Sequence, residues 1–385
     1  MFQALFNSLS GMFSFSRSLD TVSNNVSNMN TPGFRGSDAF FTNVEGGYGS
    51  RITGDDMRTN PGDIRQTENA TDLAVNGNGY FVLRDPAGDL HYTRAGQFRF
   101  DEHSLLVDSV NGYQVMGLDG SGNMVAIDLD SYRNIPAVGT SQVRVTGNIA
   151  PSSTTTNINA VTVFDASGAS RVLSVKFTNN TANTPGSFLV TVTDSSGKAV
   201  GSGEVRFRTD GTPLTGYAGM DVVLQGPGGA QAIRLDFGTP GTLTGMTSLS
   251  GTTSSLSAKV TDGHGILAVN GITFDDKGVM QLTYSETEKR SGPQVALALF
   301  PNESALNLEG GRLIAGASVQ ERDIGRPGDT GFGRIRGFSL EMSNVDLTRE
   351  FADMIVIQRG YQASSRVMTV SNEMIEQLYN STRGG

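Results

Sequence analysis

The sequence predicts a mainly β protein with a long α-helix at each end. Two antiparallel β domains, one inserted in the other, are bracketed by an N/C-terminal helical segment of coiled-coil-like character. Three observations carry this. Apolar residues recur at seven-residue spacing near both ends. Between the ends, short β-branched and aromatic runs alternate with Gly, Asn and Asp turn signals. Glycine is abundant, at 49 of 385 residues against 12 prolines and no tryptophan, which fits many short strands joined by tight turns.

The N-terminal helix is read from Phe2 to Met29. Leu5, Met12, Leu19 and Val26 lie seven apart, with Phe2, Leu9, Phe15, Val22 and Met29 beside them. Asn24, Asn25, Asn28 and Asn30 then accumulate before Thr31-Pro32-Gly33, which cannot continue a helix. At the other end, from Asp346 to Tyr379, Leu347, Met354, Tyr361, Met368 and Ile375 repeat the spacing, and Phe351, Ile357 and Leu378 widen the stripe. Asn344 or Asp346 is placed to cap this helix, with Glu350 in its first turn. At about 1.5 Å per residue it is about 50 Å long, more than one sheet needs for cover. Narrow seams of this kind gain stability mainly when neighbours of the same kind cover them, so residues 1–30 and 340–385 are expected to form a self-associating core.

Residues 31–70 read as an extended linker. The first β domain is expected over 71–145 and 255–339. It opens with two apolar runs around Asn76-Gly77-Asn78-Gly79, a hairpin signal. Short strands follow at Tyr92, Phe98 to Phe100, Leu105 to Val107 and Tyr113 to Leu118. A second strand series starts at Val161 to Phe164 and continues through Val172 to Phe177, Phe188 to Val192, Glu204 to Phe207 and Ala232 to Phe237, which fits a sandwich or barrel inserted over 146–254. Because Ile266 to Val269, Val279 to Tyr284 and Val295 to Phe300 resume the earlier style, the insertion is expected to return the chain to the first domain. The Gly/Ser/Thr-rich stretches near 141–160 and 238–257 are expected to hinge the two.

Composition excludes several functions. Charge is sparse at 17% with a net of -9, so the field repels phosphate backbones and anionic lipid; nucleic acid is not an expected partner. Without cysteine there is no disulfide, thiol nucleophile or thiolate metal site. The N-terminus lacks the basic n-region and cleavage site of a secretory signal, and no 18-residue apolar run suggests membrane insertion. His91, His103 and His264 have no ligand-spaced partner, so no metal site is expected. Asp119-Gly-Ser-Gly-Asn123 resembles the start of a calcium loop, but Met124 stands where that loop needs Gly; a hairpin turn explains it. The glycine clusters Gly117 to Gly122 and Gly226 to Gly229 lack the context of a phosphate loop. No nucleophile elbow or carboxylate pair assembles into a catalytic constellation, so neither catalytic residues nor cofactors are expected.

The helix end Ser23-Asn-Asn-Val-Ser-Asn-Met-Asn-Thr-Pro-Gly-Phe-Arg35 resembles the signature of the flagellar axial proteins of rod and hook. Asn24, Asn25, Asn28, Asn30, Thr31, Gly33 and Phe34 match that family's pattern, while Ser27 stands for the usual Ala and Arg35 for Lys. Ser343 to Glu350 and Gln358-Arg-Gly-Tyr-Gln-Ala363 are similar to its C-terminal helix. Leu73 to Phe81, Tyr92 to Phe98 and Gly331 to Gly333 resemble its first β domain and the turn before the last helix. Thr162 to Gly168 and Thr209 to Pro213 look hook-like, whereas Val260-Thr-Asp-Gly-His264 lacks the aromatic usual after Asp-Gly in hook members.

The resemblance implies a structural, non-enzymatic hook subunit that polymerises with itself into a flexible hollow tube, joins rod to filament and transmits torque. Space for a second β domain favours hook over the alternative, a distal rod subunit. Implied partners are the rod, the hook cap, the hook-filament junction proteins and the type III export apparatus. The implied location is the extracellular flagellum, reached without a cleaved signal. The assembly interface would then use Leu5, Met12, Leu19, Val26, Asn24, Asn25, Asn28, Asn30, Gly33, Phe34, Leu347, Phe351, Met354, Tyr361, Met368 and Ile375.

Overall fold

A computed structural model of the chain describes residues 2–44, 49–226, 229–251, 253–303, 306, 308–309, 312–314 and 322–383. It divides into two compact units: residues 1–132 with 270–385, and residues 133–269. Strands are the main regular structure among the described residues, with one long helix near each end.

In the first unit, α1 spans Phe2–Ser27 and α2 spans Leu347–Arg383. The chain leaves α1 into a hairpin of β1 (Ser37–Asn43) and β2 (Ser50–Met57), with a bulge between Phe40 and Phe41. The hairpin lies on α1, where the Ser14 hydroxyl donates to the Ser50 carbonyl at 2.9 Å. Pro227 and Gly228, within the second glycine cluster named above, lie outside the described residues.

The body of this unit is a large antiparallel sheet. Its central strand, Tyr80–Arg84, pairs with Leu90–Thr93, Gln114–Leu118 and Leu297–Leu299. Tyr80, Val82, Tyr92, Met116, Ala298 and Phe300 fill one face, with Tyr92 edge-on to Phe300 at 5.0 Å. Full burial of each large apolar side chain contributes about 1.5–3 kcal/mol.

The Asn76 to Gly79 turn does not close the hairpin the sequence suggests. Leu73–Asn76 pairs instead with Arg334–Gly337, and the Gly333 amide donates to the Asn78 carbonyl at 2.7 Å. Gly77 and Gly79 do take positive φ, but the partner strand comes from more than 250 residues away in the chain, beyond the reach of a local pattern. A second short ladder joins Ile64–Gln66 to Ser339–Glu341. Together the two ladders bring the segment that follows α1 beside the one that leads into α2.

The second unit is a sandwich. Thr155–Phe164, Ser170–Asn179, Ser187–Asp194 and Ala199–Arg206 form an antiparallel meander. The other sheet holds Gly219–Gly226, Gly229–Asp236, Gln142–Asn148, Met246–Thr247 and Ser255–Val260, with Gln142–Asn148 parallel to two of its neighbours. Alternation decides the faces: Leu173, Val175 and Phe177 point into a core shared with Val143, Val145 and Phe237, while Lys176 points out. The stretches 141–160 and 238–257, expected to hinge two domains, are instead sheet strands and turns inside this unit. Their small polar residues serve tight β packing, which composition does not separate from linker.

Candidate assembly site at the paired terminal helices

The end of α1 is built by its asparagines. The Asn28 side chain donates through Nδ2 to the Asn24 carbonyl at 2.9 Å, and Thr31 donates through its hydroxyl to the Asn28 side chain at 3.2 Å. Gly33 then turns the chain with φ +72°, and a Cβ there would lie 2.2 Å from the Ala95 nitrogen. Only glycine fits that position. Phe34 follows, 2% exposed.

Asn25 faces the other way, into the protein. Its side chain accepts from the Ser37 amide at 3.0 Å, donates to the Ser37 carbonyl at 2.8 Å and donates to Glu350 at 3.1 Å. Glu350 is fully buried and pairs with Arg58 at 2.6 Å. Arg58 also holds Asp38 at 2.7 Å, and Arg349 reaches the same carboxylate at 3.1 Å. Burial pushes the Asp38 carboxyl up, but hydrogen bonding to Arg58 and the charges of Arg58 and Arg349 outweigh it and hold the group below its usual range. Burial likewise lowers Arg58, and its two carboxylate partners more than reverse this. A charge network of this kind, with its lone pairs filled, fixes one geometry.

A second buried node lies alongside. Glu341 pairs with Arg35 at 2.7 Å and Arg94 at 3.2 Å, and accepts from the Gly62 amide at 3.0 Å. Burial depresses the Arg35 guanidinium despite the adjacent carboxylate. Asn344 accepts from the Gly36 amide at 2.8 Å and donates to the Asn60 carbonyl at 2.8 Å. Capping of α2 therefore falls to Asp346, which accepts from the Thr348 amide at 2.8 Å. Hydrogen bonds from the amides of Thr348 and Arg349 keep its carboxyl low.

From this joint α1 and α2 run antiparallel. Asn25 meets Glu350, Phe15 lies over Gly360, and Gly11 lies against Ser364. Small residues are prominent in the contact line: Ser8, Gly11, Ser18, Val22 and Asn25 of α1 are buried, as are Glu350, Ile357 and Ser371 of α2, while Ser14 is buried beneath the hairpin. Such residues let the axes approach closely but bury little apolar surface. Outside the line, Phe6 is 63% exposed, Phe13 69% and Val356 66%, and Phe351, Ile355, Tyr361, Val367, Val370, Met374, Leu378 and Tyr379 are exposed as well. A groove of about 260 Å³ runs between Phe15, Ser18 and Val22 of α1, Asp38 and Phe41 of β1, and Asp353 and Val356 of α2.

The residues named from sequence divide between these roles. Asn25, Gly33 and Phe34 are buried in the joint. Asn24 and Asn30 are exposed and Asn28 is half-buried at the helix end. Leu5, Met12, Leu19 and Val26 are half-buried along the flank of the contact line, as are Leu347, Met354, Met368 and Ile375, while Phe351 and Tyr361 face solvent. The small residues of the line and the charged partners Asp38, Arg58 and Glu341 were not picked out. An apolar stripe does not register serine and glycine, although Ser8, Gly11 and Ser18 recur on one helical face at spacings of three and seven.

Four domain descriptions match the chain in order. They are flagella basal body rod protein over 5–35, the flagellar hook protein FlgE/F/G D1 domain over 74–159, the flagellar basal body protein FlaE D2 domain over 128–310, and the flagellar basal body rod FlgEFG protein C-terminal domain over 337–381. Among whole proteins, the flagellar hook protein FlgE of Borreliella burgdorferi is 28% identical, the alignment covering 98% of this chain and 99% of that one. That of Brucella suis is 28% identical over 97% and 98%, and that of Escherichia coli K12 is 26% identical over 98% and 99%.

Proposed function

We propose that this chain, which belongs to the flagellar rod and hook protein family, is a structural subunit of the bacterial flagellar hook and assembles with copies of itself through its paired terminal helices. The observation that carries the reading is the helix pair itself. It is anchored at one end by a buried charge network and displays apolar side chains along most of its length. Exposed apolar stripes on elements otherwise fixed in place are surfaces awaiting cover. Lateral packing of such pairs gives a helical polymer, because a contact between two different faces repeats without closing on a dimer.

In this reading Leu5, Met12, Leu19, Val26, Leu347, Phe351, Met354, Tyr361, Met368 and Ile375 contribute to contacts within and between copies. Asn25, Gly33 and Phe34 hold the pair to the β body, and Asn24, Asn28 and Asn30 end α1. The polymer is a flexible hollow tube that joins rod to filament, carries torque and performs no catalysis. Its subunits pass through the type III export apparatus, grow under the hook cap and end at the hook-filament junction proteins. The match to a D2 domain over 128–310 and the alignment to hook proteins over nearly their whole length support hook over distal rod. Electron microscopy of a strain lacking the gene tests this: intact rods without hooks are expected, and rods shortened at their distal end would contradict it.

A further inference from the structure

We propose that Phe15 and Gly360 set the register of the terminal helix pair, and with it the apolar side chains that one copy presents to the next. The second clause rests on the assembly reading above; the first stands without it. Serine and glycine make up much of the contact line between the helices. Serine and glycine offer no large knob, so they permit a close approach while opposing axial sliding only weakly.

Phe15, half-buried on the same face of α1, lays an aromatic ring on α2. Its ring lies on the bare backbone of Gly360, where a Cβ would stand 2.4 Å from Cζ and 2.6 and 2.8 Å from the two Cε atoms. With the ring in this position, those distances leave no space for a Cβ. Gly360 is the only glycine in α2, so the notch occurs once along the helix. The far side of the ring is backed by Phe41 of β1, with centroids 5.8 Å apart.

The alignment is in step along the pair. Ten residues separate Asn25 from Phe15 and Glu350 from Gly360; four separate Phe15 from Gly11 and Gly360 from Ser364. A slip of one turn moves α1 by about 5.4 Å along α2. It would part Asn25 from Glu350 and carry Phe6 and Phe13 past a different set of α2 residues. The polar joint fixes one end of the pair, and the ring in its notch fixes the middle.

The absence of cysteine makes register measurable in the full chain. A Cβ built on Gly11 lies 3.8 Å from the Ser364 Cβ, within the span of about 3.5–4.5 Å that a disulfide requires. Gly11→Cys with Ser364→Cys is therefore expected to cross-link on oxidation and to form tubes. Adding Gly360→Ala is expected to abolish the cross-link and the tubes, although alanine favours helix over glycine. Adding Phe15→Leu to that variant shortens the knob and is expected to restore both. A cross-link that survives Gly360→Ala, with the ring moved into the adjacent groove, would overturn the proposal. So would a cross-link that Phe15→Leu fails to restore. If the doubly substituted parent cross-links as expected but makes no tubes when reduced, the assembly reading fails while the cross-link pattern still upholds the register.

Discussion

The side-chain amide of Asn25 donates to the carboxylate of Glu350 at 3.1 Å, both residues fully buried, across 325 positions of sequence. This contact ties the asparagine-rich end of α1 to the first turn of α2, and Arg58 and Asp38 complete the charge balance around it. Glu350→Gln keeps the shape and removes the charge, leaving Arg58 with Asp38 alone. The expected cost to the joint is about 3 kcal/mol, a loss of roughly a hundredfold in amide-exchange protection of α1. Unchanged protection would contradict the role assigned to the network.

Gly33→Ala adds a methyl group where the backbone of Ala95 already lies and demands positive φ of a residue that resists it. A loss of at least about 2 kcal/mol is expected, read as a lower midpoint of chemical unfolding for the unit that carries both helices. A wild-type midpoint would mean the turn relaxes without strain.

Acid should loosen the joint and the sandwich together. Asp38 is held low in the folded chain, and so are Asp165 and Asp194, by their hydrogen bonds from Ser167 and Ser196, and Asp262, where bonds from Ser141 and Gln142 outweigh burial. A group whose folded value lies below its unfolded value stabilises the fold above the unfolded value and loses that contribution as pH falls through the folded one. Stability measured by thermal melting is therefore expected to hold down to about pH 3.8, the ordinary Asp value, and to fall below it. A melting temperature that rose on acidification through that range would refute the assignment.

The exposed face of α2 should matter to assembly and not to folding. Val356, 66% exposed, lines the groove. Val356→Glu is expected to change monomer stability by no more than about 0.5 kcal/mol while abolishing polymerisation in light scattering. Normal tube growth would remove this face from the interface.

Much of this was legible in the sequence for physical reasons. The terminal helices announce themselves through seven-residue spacing and an unmistakable stop at Thr31-Pro32-Gly33, and the strands of the sandwich through alternation, as at Leu173, Val175 and Phe177. What escaped were pairings over long distance. Leu73–Asn76 seeks Arg334–Gly337 and not its neighbour, and Asn25 seeks Glu350; neither partner can be named from local pattern. Ser8, Gly11 and Ser18 of the contact line escaped because they carry no hydrophobic signal. Asp38 and Arg58 look like ordinary linker charges until the fold pairs them and sets Arg58 on Glu350.

The most direct test of the account is electron microscopy and scattering of the full chain beside a chain lacking residues 1–30. The full chain is expected to form tubes. The shortened chain is expected to keep its β signature by circular dichroism and remain monomeric. Tubes from the chain without α1 would contradict the claim that the paired terminal helices drive assembly.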